Sequence, residues 1–260
     1  AHIVVGTPGR IQDHLGRGTL RLDRVHVAVL DEADEMLDIG FAEDIERILR
    51  FTPRSRQTAL FSATMPVSIR RLVYRHSKRP LWVRIGREAE PVQQVRQIYF
   101  EVAAQDKNVG LEEILRNSPS TSSLGVGHGQ TLIFRRTQRG VERLVDYLRR
   151  RGYPIKGIHG GLSQVQRDSA MQAFRAGSLK LMVATNVAAR GLDIPAIFQV
   201  INFDVPQNVE EYVHRIGRTS RMGRPGTAIT LVGEWDLEAF EAIQQHIGDD
   251  MEQCRLALYT

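Results

Sequence analysis

Apolar residues along this chain gather in short runs separated by stretches of helical period. The runs are "HIVVGT" (2–7), "VHVAVLD" (25–31), "TALFSAT" (58–64), "LWVRI" (81–85), "IYFEVA" (98–103), "TLIF" (131–134), "LKLMVAT" (179–185), "FQVINF" (198–203) and "TAITLVG" (227–233). Between them, stretches such as "VERLVDYLRR" (141–150) and "RDSAMQAFRAG" (167–177) space apolar residues three and four apart, as one face of a helix does. Strands alternating with helices predict an α/β fold built on parallel sheets. The runs are apolar enough to be buried on both faces, which that architecture requires.

The alternation pauses at "GREAEPVQQVRQ" (86–97), a polar stretch with a proline and no apolar period. It divides the chain into a first segment, 1–87, a linker, 88–96, a second domain, 97–250, and a tail, 251–260. The second domain is long enough for a complete core. The first carries four strand-like runs and is expected to expose unpaired sheet edges. The opening "AHIVVGTPGR" lacks an initiator methionine and starts directly on a strand-like run. Both features predict a chain cut from a longer one, its first domain incomplete.

Composition narrows the function only a little. Hydrophobic residues make up 42% and charged residues 25%, as in an ordinary globular protein. The net charge of +5 favours an anionic partner, and arginine, the main base, suits phosphate through its planar fork. A single cysteine, Cys254, rules out an intrachain disulfide and four-cysteine metal sites. No apolar run approaches the roughly 18 residues needed to cross a bilayer, and no signal peptide is legible.

The candidate chemistry lies at strand ends. "VAVLDEAD" places Asp31, Glu32 and Asp34 just after a strand, at the edge where open α/β sheets bind ligands. Asp31 suits a magnesium ion and Glu32 an attacking water; the plain alternative is an acidic turn capping a helix that begins near Asp34. "FSATMP" places the Ser62 and Thr64 hydroxyls at the next strand tip, or simply makes a turn before Pro66. "GTPGR" offers Thr7, Gly9 and Arg10 to a phosphate, or again a turn. "EYVHRIGRTSRMGR" (211–224) spaces Arg215, Arg218, Arg221 and Arg224 three apart. That run is either a solvated basic face or a set of arginines for a transferring γ-phosphate. "VATNVAARGLDIP" offers Thr185 to a nucleic-acid phosphate and Asp193 to a ribose hydroxyl.

One segment imitates a phosphate-binding loop. "GVGHGQT", within the Ser/Gly-rich stretch 117–130, has Gln130 where the lysine belongs. It opens a strand instead of a helix, so no helical N–H groups would face the anion. It is set aside as a decoy.

Taken in order, "TPGR", "DEAD", "SAT", "LIF", "ARGLD" and "HRIGRTSR" closely resemble the successive motifs of DEAD-box ATP-dependent RNA helicases, from residue 2 to about 247. The resemblance implies two RecA-like domains with ATP and Mg²⁺ in the cleft between them. It also implies RNA held mainly by its backbone, and a cytoplasmic monomer, with the nucleus left open. Asp31 then resembles the magnesium residue, acting through water, and Glu32 the catalytic base. Asp34, Ser62 and Thr64 resemble the link between hydrolysis and domain closure. Thr7, Gly9 and Arg10 resemble one RNA-backbone site and Thr185 another. Asp193 resembles the ribose contact, and Arg218 and Arg221 the arginine fingers. His214 and Arg215 resemble the residues that network with the acidic and SAT turns.

The family's adenine-reading glutamine motif, its lysine-bearing phosphate loop and an early RNA-contact motif are expected upstream of Ala1. On that basis the isolated chain is expected to be inactive as an ATPase. Two positions depart from the family pattern: Asn186 stands where an aspartate is usual, and Ser220 where a glycine is. The competing expectation is a non-catalytic module that binds RNA or a protein partner.

Overall fold

The computed structural model describes residues 1–62, 64–84, 95–116, 129–189, 197–219 and 226–256. The chain divides into two compact units, Ala1–Glu88 and Ala89–Thr260.

In the first unit, α1 (Pro8–Gly16) is followed by β1 (Val27–Leu30), α2 (Ala33–Asp38), α3 (Ala42–Arg50), β2 (Gln57–Leu60) and α4 (Val67–His76). β1 and β2 pair in parallel, Val27 opposite Gln57 and Leu30 opposite Leu60. Side chains alternate across a strand, so Ala28, Leu30 and Leu60 meet Ile45, Leu49 and Leu72 from the helices. Ala33, Ile69 and Val73 continue that core. The intervening Val27 and Val29 remain 53% and 57% exposed.

Two of the four strands expected here do not form. Residues 2–7 and 81–84 have no ladder partner among the described residues, and Ile3, Val5, Leu81 and Val83 are exposed. β-propensity is a fitness for a pleated, packed surface, and without a neighbouring strand it has nothing to act on.

The second unit is a seven-stranded parallel sheet in the order β5-β6-β4-β7-β8-β3-β9. Its elements are β3 (Val95–Glu101), α5 (Lys107–Arg116), β4 (Thr131–Phe134), α6 (Gln138–Arg150) and β5 (Ile155–Ile158). Then come α7 (Gln164–Arg175), β6 (Leu181–Ala184), α8 (Asn186–Ala189) and β7 (Gln199–Asn202). The last are α9 (Val209–Ile216), β8 (Gly226–Val232), α10 (Leu237–Ile247) and β9 (Met251–Cys254). α5 and α6 cover one face, burying Leu111, Leu115, Val141 and Leu148 against Ile133, Val183 and Ile201. On the other, Phe174 of α7 packs with Leu132 and Met182, while Tyr212 and Phe240 of α9 and α10 pack with Tyr99 and Ala228. β4, β6 and β7 are buried along their whole length.

Two boundaries change. The linker expected through residue 96 ends earlier, because β3 begins at Val95. The tail expected from 251 instead opens with β9, which pairs with β3 and is tied to it by Arg96 and Glu252, 2.7 Å apart. β9 is polar because it is a half-exposed edge, so no apolar run marks it. β5 escaped notice for another reason. Its Gly157 lets α6 approach so closely that a Cβ there would lie 2.7 Å from the Val141 side chain.

Candidate functional site

The acidic turn sits between β1 and α2. Ala33 N–H donates to the Phe61 carbonyl (3.0 Å), which ties the turn to the end of β2. Asp34 is only 4% exposed and joins the two strand tips. Its Oδ2 accepts from the Thr64 backbone N–H (2.7 Å) and from the Thr64 hydroxyl (2.8 Å), and its Oδ1 from Glu35 N–H (3.1 Å). The Ser62 hydroxyl donates to the Thr64 carbonyl (2.6 Å), which closes the SAT turn on itself. Burial pushes the Asp34 carboxyl up, but the hydrogen bonds from Thr64 and Glu35 outweigh it and hold the group below the usual carboxylate range.

Asp31 and Glu32, by contrast, are exposed. Asp31 Oδ1 accepts from Glu32 N–H (3.0 Å). Glu32 is left-handed (φ 51°, ψ 49°), a conformation that costs a non-glycine residue about 1 kcal/mol or more. Its side chain makes no capping bond to α2, so a simple helix cap does not account for this carboxylate. The arrangement is one buried carboxylate that fixes the turn and two exposed ones beside it.

Thr7 is the N-cap of α1, with Pro8 at the first helical position. Its side chain does not cap the helix, and Gly9 has open space where a Cβ would be. The Arg10 side chain is 71% exposed and lies 3.6 Å from Asp13. These three residues are brought together at an accessible helix start.

In the second unit Arg215 is buried, with 3% exposure. Its Nε donates to Asn186 Oδ1 (2.8 Å), and its Nη1 to Asn202 Oδ1 (3.1 Å) and the Asp204 carbonyl (2.7 Å). Its Nη2 pairs with Glu211, and its guanidinium carbon stands 5.0 Å from the centre of the Phe134 ring. Burial lowers the Arg215 pKa and Glu211 opposes that shift. In this structure the Arg215 guanidinium joins α9 to the ends of β4 and β7 and to α8.

The network also explains Asn186. Its Oδ1 accepts from Arg215 while its Nδ2 donates to Glu211, so the carboxylate facing Arg215 comes from Glu211. An aspartate at 186 would set a second carboxylate against Glu211. The visible signal was the four-residue spacing of Glu211 and Arg215 along a helix; the parts played by Asn202 and Asp204 had none.

His214 and Arg218 are half-buried and line a shallow pocket with Asn186, Ala189 and Glu211. Thr219 is buried, and its hydroxyl donates to the Ile197 carbonyl (2.6 Å), which anchors the turn that carries Arg218. Thr185 directly follows β6 at 8% exposure, its N–H bonded to the Ile158 carbonyl (3.2 Å). Asp193, Ser220 and Arg221 lie outside the described residues. Gln130 is buried, and its side-chain amide donates to the Phe174 and Leu179 carbonyls, so it faces the interior and not a phosphate.

Comparison with known proteins agrees with this layout. The DEAD/DEAH box helicase family matches residues 1–72, and the helicase conserved C-terminal domain matches residues 112–223. The DEAD-box ATP-dependent RNA helicase CshA of Geobacillus kaustophilus is 46% identical over 98% of this chain, and that of Bacillus subtilis 43%. The chain spans about half the length of these relatives, 53% and 50%. A structure of S. cerevisiae Dbp5 bound to RNA and ADP BeF3 matches 96% of this chain and 65% of its own, at 33% identity and a TM-score of 0.85. E. coli SrmB bound to the regulator RraA matches 63% of this chain and 92% of its own, at 32% identity and a TM-score of 0.56. With these matches, and with the acidic turn and the SAT turn joined at the strand tips, the chain belongs to the family of DEAD-box ATP-dependent RNA helicases.

Proposed function

We propose that this chain supplies the acidic turn, the SAT turn and the arginine run of an enzyme that opens short RNA duplexes as it binds and hydrolyses ATP. One observation carries the reading. Asp34 locks the SAT turn to the acidic turn, which holds the exposed Asp31 and Glu32 at a fixed strand tip.

Among the described residues no group of three or more His, Cys, Asp or Glu side chains is placed to hold a metal ion. A magnesium ion would be held on the protein side by Asp31, through water, with its remaining ligands from solvent and phosphate. Such an ion would neutralise charge on the transferring phosphoryl group. Glu32 is the residue to orient the attacking water and take its proton. Arg218 and Arg221 are assigned to the developing γ-phosphate charge, and Asp193 to the ribose. Thr7, Gly9, Arg10 and Thr185 are assigned to the RNA backbone, a mode that reads phosphate and 2′-hydroxyl groups and little sequence.

None of the 260 residues forms a glycine-rich loop ending in lysine. The chain by itself should therefore bind single-stranded RNA, with an affinity that falls as salt rises, and hydrolyse ATP only at background. RNA-stimulated hydrolysis that disappears in Glu32→Gln would overturn the predicted inactivity. Equal binding of matched RNA and DNA strands would overturn the RNA assignment. The second reading, a non-catalytic RNA-binding or partner-binding module, is favoured by the same missing loop. It gains ground if background hydrolysis persists when the chain is supplied together with the phosphate-loop half of a close relative.

A further inference from the structure

Trp235 is 88% exposed at the tip of the turn between β8 and α10, and Leu237, on the first turn of α10, is 47% exposed. The turn itself is firmly held. Asp236 N–H donates to the Gly233 carbonyl (3.0 Å), and Asp236 Oδ2 accepts from Gly233 N–H (3.3 Å). The same carboxylate oxygen takes the ammonium of Lys107 at 2.7 Å, a pair whose side chains are 6% and 15% exposed. Arg136 reaches the other oxygen of Asp236 at 3.5 Å. Glu234 accepts from Ala104 N–H (2.9 Å), which fastens the turn to the segment after β3. An indole held out on a rigid turn loses little entropy on binding, and tryptophan is enriched among the residues that dominate interface energy.

The surroundings of the indole are acidic, although the chain as a whole carries +5. Glu101 ends β3 beside Val232, and Glu234, Glu238 and Glu241 flank Trp235 and Leu237. All four glutamates are exposed. The only base in the two stretches 101–107 and 233–241 is Lys107, which is buried on Asp236. A phosphate backbone would be repelled here, while a cationic segment would be attracted and oriented.

We propose that this turn is a docking surface for a protein segment that combines Lys or Arg side chains with an apolar anchor. The anchor packs on Trp235 and Leu237, and the cations pair with Glu234, Glu238 and Glu241. The proposal does not depend on the helicase activity.

The test uses the full 260-residue chain with Trp82→Phe, so that Trp235 is the only fluorescent indole. The probes are short synthetic peptides pairing Arg or Lys with Leu, Phe or Met at varied spacings, with acidic and all-polar peptides as controls. Cationic apolar peptides should shift the Trp235 emission and bind with an affinity that falls with salt. Read by the anisotropy of labelled peptides, which needs no indole in the protein, Trp235→Ala, at a site too exposed to matter for folding, should weaken them at least about tenfold, as should Glu238→Lys with Glu241→Lys. Binding that ignores these substitutions, or no binding across the set, would overturn the proposal. So would single-stranded RNA quenching Trp235 and losing affinity in Trp235→Ala, or self-association of the chain that Trp235→Ala abolishes.

Discussion

The two units of this chain use similar sequence material to different ends. In the second, seven strands run side by side, and helices on both faces bury β4, β6 and β7 completely. In the first, two strands carry helices on one face, and Val27 and Val29 look outward. The runs at 2–7 and 81–84 are as rich in Val, Ile and Leu as any strand of the second unit, yet they join no β-ladder among the described residues and are exposed. Apolar content is therefore not what distinguishes the units. What differs is how many strands find neighbours to pair with and helices to cover both faces, since burial contributes about 25 cal/mol for each Å² of apolar surface removed from water. The candidate chemistry is divided as well: the acidic and SAT turns sit on the less buried unit, and the arginine network on the better buried one.

The strongest test of that contrast is limited proteolysis of the intact chain. A stable core starting near Val95 and extending through β9 should survive while the first unit is cut to fragments. An equally resistant N-terminal fragment would show that one covered face and two strands suffice. The next test disturbs the better unit from within. Arg215→Ala should cost about 3–5 kcal/mol in urea unfolding, because Glu211 is left without its buried partner. A loss no larger than that of a surface substitution would show that the network around Arg215 does not hold the second unit together.

Asn186→Asp sharpens the same point. It removes the donor to Glu211 and sets two carboxylates together, at a cost of about 1–3 kcal/mol. Adding Glu211→Gln should recover most of that loss, since a donor again faces a carboxylate. Additive losses in the double variant would show that the two side chains do not interact. The smallest effect belongs to the first unit. The folded Asp34 carboxyl lies below its unfolded value of about 3.9, so its contribution is full above that pH and is lost as acid drives the pH down through the folded value. Unfolding of the first unit, followed at a series of acidic pH values, should show this loss in the native chain. In Asp34→Asn, already weaker at neutral pH, the acid step should be reduced.

The sequence by itself determined a good deal. Unbroken apolar runs such as "TLIF" and "LKLMVAT" specify strands, because a doubly covered strand is mostly apolar on both faces and the few polar side chains it keeps, such as Thr131, are hydrogen-bonded. "DEAD" and "SAT" are legible because their chemistry needs those side chains at strand tips, and the structure joins them through Asp34 and Thr64. Tertiary structure alone decided the rest. β9 is a strand because β3 offers it an edge, and β5 because Gly157 admits α6. Residues 2–7 are not a strand, because pairing requires a partner that local propensity cannot supply. Arg215, one of several evenly spaced arginines in sequence, is set apart by packing, since the chain closes over it and brings Asn186 and Asn202 from other elements to join Glu211 of its own helix in taking its donors. Local pattern records what one segment prefers, whereas burial and pairing depend on which other segments arrive beside it.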